Sequence, residues 1–461
     1  MALVRRFLFS RCLSQKTSGL NNVYQAYFQY SQLPTFQVKR CEPEVVVPAK
    51  PTPLEVKKLS DIDEHRILFP MIWFYKNNRG KDPVKVIREA LGRVLVYYYP
   101  LAGRLKEGSD RKLMVDCNGK GVLFIEADAD IKLDQLGHPI QPPFPFLDEV
   151  LYNVPGSDNI LGSPLLLVQV TRLLCGGFIL ALRLNHTMLD GFGLLLFMNA
   201  WAEMACGAQH PSIPPVWNRD LLDARNPPRI TRVHHEFQQG INDDQIDMDT
   251  TQLVNRCFFF GPNEIMAIRK HLLPHHPHLS SSSTKFELIT ACIWKCRTLA
   301  LDLDPEEVVQ VSIVFNGRGK DSLDLPLGYY GPVVASPSVV SKAGDLCGKP
   351  LGYAVELVRK TKTENMDAEY IRSAADFLVT KGRPGYKLRG NYYVSNITHL
   401  GYGDVDFGYG KAEYGGPPKA YVVGCYHVKH RYKGHDGSLA MICLPFLAMA
   451  RFQKELEKII K

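Results

Sequence analysis

The run Gly177-Phe-Ile-Leu-Ala-Leu-Arg183-Leu-Asn-His186-Thr-Met-Leu-Asp190-Gly191 changes its hydrophobic period partway along. Residues 178–184 are apolar apart from Arg183 and read as a buried strand, whereas Leu194, Leu195, Met198, Trp201, Ala202 and Ala205 recur at helical spacing up to Gly207. Asp190 stands where an N-cap carboxylate accepts the first free backbone N–H groups. His186 therefore falls at the carboxyl end of a strand, on the rim where open α/β sheets place ligands. Spacing alone leaves His186 either a satisfied loop histidine or a base, and Asp190 either a cap or its partner.

Outward from this joint the chain divides into two mixed α/β halves. The first offers a helix over 83–99, with Val84, Ile87, Leu91, Val94 and Leu95 on its apolar side and Pro100 as its stop. Strands are expected at 113–117, 122–126, 165–173 and 178–184. The second half offers strands at 257–260, 308–316, 421–428 and 439–444 and helices at 263–271, 285–300 and 445–460. Between them residues 208–252, proline-rich and then polar and acidic, read as a crossover. The domains expected are a leader over 1–35, an N-terminal domain over 36–207 and a C-terminal domain over 253–461.

With 461 residues, 45% of them hydrophobic, the chain can bury a large core. Six of its eight net positive charges arise from Arg5, Arg6, Arg11, Lys16, Lys39 and Arg40, before the first acid at Glu42. The remainder is nearly neutral, which gives a nucleic-acid partner no electrostatic support. The acid-free opening, rich in Arg, Ser and bulky apolar residues, suits either an organellar transit peptide or an unstructured or mispredicted leader, an artefact of the gene model. Eleven cysteines without a C-x-x-C pair suit reduced thiols and a cytoplasmic location. No apolar run reaches the eighteen or so residues of a membrane span.

Familiar signatures are missing. There is no G-x-S-x-G elbow and no G-x-x-x-x-G-K-[ST] loop. Gly191-Phe-Gly193 lacks the third glycine of a dinucleotide fingerprint and reads as a packing device. Asp406-Phe-Gly408 has no accompanying kinase catalytic loop. The histidines at 234, 235, 271, 275, 276 and 278 carry no H-E-x-x-H or equivalent spacing, so no metal is expected. What remains is a histidine without an adjacent nucleophile, which suits direct transfer between two bound substrates. A neutral imidazole, with a pKa near 6.5, can take a proton from an alcohol and return it to a leaving group. A thioester suits this chemistry, because a thiolate with a pKa of about 8.5 leaves more easily than an alkoxide.

The pair H-T-M-L-D-G at 186–191 and D-F-G-Y-G at 406–410 resembles the H-x-x-x-D and D-F-G-W-G signatures of the plant BAHD acyltransferases. Further matches are Tyr99-Pro-Leu-Ala-Gly-Arg104, the segment 286–297, Asn316-Gly-Arg318 and Leu327-Gly-Tyr-Tyr-Gly331. Val38-Lys-Arg40, Ser60-Asp-Ile-Asp63 and Val115-Asp-Cys-Asn-Gly119 are similar to phrases of the volatile-ester alcohol acyltransferases and benzyl alcohol O-benzoyltransferases. The likeness runs from about Phe36 to Lys461.

This resemblance implies two chloramphenicol-acetyltransferase-like mixed-sheet domains with an active-site channel between them. It implies a monomer that binds no cofactor and moves an acyl group, such as acetyl or benzoyl, from acyl-CoA as co-substrate to an alcohol acceptor. His186 would be the general base, with no covalent acyl-enzyme. Asp190 would pair with Arg318 and hold the loop carrying His186. Asp406, counted with His186 among the catalytic positions, would either hold neighbouring backbone or act as a second proton acceptor. Ser395 would stabilise the oxyanion, and Thr284 would contact CoA or cap its helix with Glu287 three residues on. Tyr409 replaces the usual tryptophan, Pro332 an asparagine, and Asn396, Ile397 and His399 the usual residues before the second motif. Two other readings remain at this point: a non-catalytic acyl-CoA-binding relative, and a mitochondrial lipoamide acyltransferase core, which shares H-x-x-x-D-G.

Overall fold

The computed structural model describes residues 35–76, 80–108, 110–238, 252–320 and 322–461. Apart from Thr35, the leader read over 1–35 lies outside these residues, as do 239–251 of the crossover.

Two seven-stranded sheets carry the fold. The first orders β1 (Val38–Arg40), β7 (Val122–Ala129), β8 (Leu166–Leu173), β9 (Phe178–Asn185), β4 (Leu68–Tyr75) and β15 (Tyr414–Gly416), with β2 (Glu44–Val46) also on β7. Strands β7 and β8 run parallel, and the other described pairs are antiparallel. The second sheet orders β10 (Leu253–Phe260), β17 (His435–Pro445), β16 (Gly424–Tyr432), β14 (Asn391–Asn396), β11 (Val308–Asn316) and β12 (Val334–Ala335), with β13 (Ser338–Lys342) beside β11. Here β14 lies parallel to both β11 and β16. A small sheet joins β3 (Val56–Lys58), β6 (Leu113–Asp116) and β5 (Arg104–Glu107). The architecture is two mixed-sheet α/β domains, the class expected from the sequence.

Helix α1 (Pro83–Val94) starts on Asp82, whose side chain accepts from Val84 N, and its buried Val84, Ile87 and Leu91 face the first core. Helix α2 (Gly191–Ala205) crosses it, and Trp201 Nε1 donates to Ile87 O at 3.0 Å. Full burial of an aromatic or leucine side chain stabilises by about 1.5–3 kcal/mol, so this seam fixes where α2 begins. Helices α3 (Lys285–Leu301), α4 (Leu351–Asn365) and α6 (Phe446–Ile460) cover the second sheet, while α5 (Ala368–Thr380) packs near β12.

Three expectations shift. The helix expected over 83–99 ends at Val94, because the chain then turns so that Tyr98 packs its ring on Phe197 at 5.2 Å and on Tyr330 at 5.0 Å. The strand expected at 421–428 begins at Gly424, after a turn closed by Gly424 N on Tyr421 O at 3.0 Å, and continues to Tyr432. Strand β4 was not expected, since Pro70 interrupts the run; β15 pairs with Ile72–Phe74 alone on that side, so Pro70 breaks no ladder there.

Residues on the C-terminal side of the crossover also complete the first domain. Leu400, Tyr402, Val405, Phe407 and Tyr409 join the first core, and β15 closes its sheet edge. The crossover is packed along its described part. Arg219 pairs with Asp63 at 2.7 Å, donates to Met188 O at 2.6 Å and lies 4.5 Å over the Trp217 ring. Arg225 grips Asp376 of α5 through its guanidinium and its backbone N–H. Among the described residues, no helix is long and apolar enough to cross a membrane.

Candidate active site

Strand β9 ends at Asn185, and the chain then folds back on itself. Asn185 Oδ1 accepts from Thr187 N, and His186 N donates to Ile67 O at 2.9 Å, which ties this turn to the segment entering β4. Asp190 caps α2 through Gly193 N at 2.8 Å. Gly193 permits this packing, because a β-carbon there would overlap the Tyr330 carbonyl.

His186 lines a cavity of about 1340 Å³, larger than the roughly 300–1,000 Å³ of most single-ligand pockets. Its Nδ1 is buried and the ring bonds its own residue's backbone, so Nε2 is the nitrogen left to face the cavity. Burial pushes the imidazole below the usual histidine pKa, against the opposing pull of the Asp190 carboxylate. At neutral pH the ring is therefore an unprotonated base.

Asp190 makes no hydrogen bond to His186. Its Oδ2 accepts from Arg318 Nη1 at 2.6 Å and from Val333 N at 2.9 Å. Burial opposes its ionisation, but the Arg318 charge and these hydrogen bonds hold the carboxyl below its ordinary value. Arg318 in turn donates to Gly331 O at 2.6 Å and lies 4.8 Å over the Phe192 ring. Arg318 thus joins the β11–β12 connection to the start of α2.

Ser395, on β14, and Thr284 line the same cavity as His186 and Asp190. Thr284 is the N-cap of α3, its hydroxyl accepting from Glu287 N at 3.3 Å while Glu287 accepts from Thr284 N at 3.0 Å. Lys362 pairs with Glu287 at 2.7 Å, and Lys320, Lys362 and Lys419 bring positive charge to the lining.

Asp406 is not brought to His186. It is exposed, outside the cavity lining, and its Oδ1 accepts from Gly408 N at 2.7 Å and Gly410 N at 2.8 Å. Both glycines have φ near +90°, a conformation that side-chain-bearing residues avoid. Phe407 packs on Trp201 at 5.3 Å, and Tyr409 on Phe178 at 5.0 Å. The turn thereby buttresses α2 and β9 from below. Tyr409 is buried, its hydroxyl donating to Lys81 O, so a tyrosine fills this position with its polar end satisfied.

Residues 36–459 match the model of the transferase family. The chain belongs to this family, that of the BAHD acyltransferases. As a BAHD acyltransferase it is 55% identical over 439 residues to alcohol acyl transferase 1 allele GSa of Malus domestica, covering 93% of this chain and 95% of that protein. To alcohol acyltransferase 16 of Actinidia chinensis var. chinensis it is 53% identical over 432 residues, 92% and 93% of the two chains. Its fold is similar to that of vinorine synthase, with a TM-score of 0.69 at 24% identity over 92% of this chain and 98% of the other. It is also similar to F. graminearum TRI101 complexed with coenzyme A and deoxynivalenol, with a TM-score of 0.63 at 16% identity over 88% and 99%. The protein is an acyltransferase. Among its described residues no group of three or more His, Cys, Asp or Glu could hold a metal ion; His234 instead bonds Glu236 and Ser373, each at 2.9 Å.

Sequence reasoning missed one functional neighbour of this BAHD histidine. His65, two residues beyond the Ser60–Asp63 phrase, stands in the cavity wall with its ring 5.1 Å from that of His186 and tilted by 38°. Its Nε2 meets the Tyr386 hydroxyl at 3.0 Å, and its Nδ1 is buried without a partner. The signal available was its position next to a matched phrase, since neither periodicity nor spacing marks it. Phe69 also meets the His186 ring, edge-on at 5.8 Å.

Proposed function

We propose that this protein transfers an acyl group from acyl-CoA to an alcohol, with His186 as the general base and no covalent acyl-enzyme. The observation that carries this reading is His186 Nε2, neutral and free, in a cavity large enough for two substrates, while the neighbouring carboxylate is engaged elsewhere. The names of the Malus and Actinidia relatives support an alcohol as acceptor.

In this reading the acceptor hydroxyl gives its proton to Nε2 as its oxygen bonds to the thioester carbonyl carbon. The tetrahedral intermediate collapses, the C–S bond breaks, and the imidazolium returns the proton to the departing CoA thiolate. Ser395 donates to the developing oxyanion, an interaction worth about 3–4 kcal/mol in comparable sites. Thr284 and the lysines Lys320, Lys362 and Lys419 serve the phosphate-bearing donor. Asp190 and Arg318 hold the base, and Asp406 holds the turn beneath it. The cavity wall of Leu68, Phe69, Met71, Ile160 and Leu184 suits an uncharged acceptor.

The test is free-thiol release from benzoyl- or acetyl-CoA with and without a panel of primary alcohols, together with intact-protein mass. The reading expects thiol release that requires alcohol and no acylated protein. Stoichiometric thiol release without alcohol, leaving an acyl adduct on the chain, would overturn it.

A further inference from the structure

A histidine base needs its ring held in one orientation, and many sites do this with a carboxylate on the second nitrogen. Here that device is absent: Asp190 is bonded to Arg318, Val333 and Gly193, and what the His186 ring meets by hydrogen bonding is its own residue's backbone. The side chains packed on the ring are aromatic. Phe69 meets it edge-on, and His65 lies against it at 5.1 Å with a 38° tilt.

The His65 ring is itself fixed. Its Nε2 lies 3.0 Å from the Tyr386 hydroxyl, whose ring packs on Phe237 at 5.1 Å and on Tyr393 at 6.1 Å. Burial raises the Tyr386 phenol well above its ordinary pKa, so it keeps its proton. In either tautomer this hydrogen bond ties the His65 ring to Tyr386. Burial and the neighbouring His186 push His65 down to about 3. A neutral ring thus stands beside the base and adds no like charge when His186 takes up a proton.

The geometry points to His65 as a positioning residue: tethered by Tyr386, its ring holds the His186 imidazole so that Nε2 faces the cavity, in the place a carboxylate would otherwise take. This rests on the reading of His186 as the base. The titratable groups acting on His186 are Asp190 on its own loop and His65 on the segment before β4.

The experiment compares His65→Leu, His65→Gln and Tyr386→Phe with the parent full-length protein, in steady state with both substrates varied and across pH, with His186→Ala beside them. His65→Leu removes the ring. His65→Gln keeps a planar group with an acceptor near the Nε2 position, and Tyr386→Phe cuts the tether alone. Misplacing a catalytic group by about an ångström can cost about 100-fold, so kcat of His65→Leu is expected to fall roughly 10- to 100-fold. KM for either substrate should stay within about twofold of the parent. Tyr386→Phe should show a smaller fall of the same kind, and His65→Gln should recover most of kcat. In His65→Leu the acid limb of kcat/KM should move upward, because water admitted beside His186 relieves the burial that depresses it.

Unchanged kcat in both His65→Leu and Tyr386→Phe would overturn the proposal, as would a loss confined to KM, which would make His65 a substrate contact. If His65→Leu does not fold, Tyr386→Phe decides by the same criteria. A dead His186→Ala beside unaffected His65 variants defeats the positioning role alone, whereas an active His186→Ala defeats the base assignment on which it rests.

Discussion

The Asp190 carboxylate is turned onto Arg318, Oδ2 to Nη1 at 2.6 Å, and makes no hydrogen bond to His186 four residues before it. The spacing of these two residues reflects loop architecture: Asp190 caps α2, accepts from Val333 and is neutralised by Arg318, while His186 is left open to the cavity.

Cutting that pair should therefore destabilise the protein first and impair catalysis through the loop. Both partners are largely enclosed, at 1% and 12% side-chain exposure. Removing one partner of a buried pair costs about 3–5 kcal/mol, so Arg318→Met is expected to lower the thermal unfolding midpoint by several degrees. Acyl-transfer activity should fall in the same samples. An unchanged unfolding midpoint would remove the anchor role.

Asp406 tests the second motif. As the acceptor for Gly408 N and Gly410 N it needs an oxygen, not a charge. Asp406→Asn should keep kcat within a fewfold of the parent, whereas Asp406→Ala, which removes two hydrogen bonds of an exposed turn, should lose about 0.5–1.5 kcal/mol of stability. A loss of 100-fold or more in kcat for a stably folded Asp406→Asn would instead assign it a proton-transfer role.

The pH dependence follows from the two depressed imidazoles. His186 works as a base only when unprotonated, so kcat/KM should be flat above the usual histidine pKa of about 6.5 and fall at lower pH. Stability carries the same sign. His65 in the folded protein binds a proton only near about 3, while the unfolded chain binds one near 6.5. Between those values the unfolded state holds more protons, so stability is complete above about 6.5 and declines as pH falls toward 3. Thermal unfolding from pH 7.5 to 4.5 should therefore show a steeper acid decline in the parent than in His65→Leu. Equal slopes would contradict the buried, neutral state of His65.

Much of this was legible in the sequence because period and punctuation agreed. The switch from strand to helix across 178–205, the Asp190 and Thr284 caps and the strand at 308–316 all stand in the structure. What escaped were features set by tertiary partners. Strand β4 contains a proline that only the short reach of β15 makes acceptable. Helix α4 carries its buried residues thinly among Lys, Glu and Thr, and α5 buries the polar Ser373 and Asp376 among its apolar residues. His65 joins the site through Tyr386, 321 positions away, a relationship no local pattern encodes. For Asp406 the sequence leaves two readings open, holding neighbouring backbone or accepting a proton, and its carboxylate accepts from Gly408 N and Gly410 N of its own turn.

The most direct test of direct transfer by His186 is a single-turnover measurement on His186→Ala with protein in excess over acyl-CoA and alcohol saturating, with acyl-CoA affinity measured on the same protein. Loss of general base catalysis is expected to slow ester formation by about 100- to 10,000-fold, with the dissociation constant for acyl-CoA within about threefold of the parent. Ester formation at the parent rate by a folded His186→Ala protein would contradict the account.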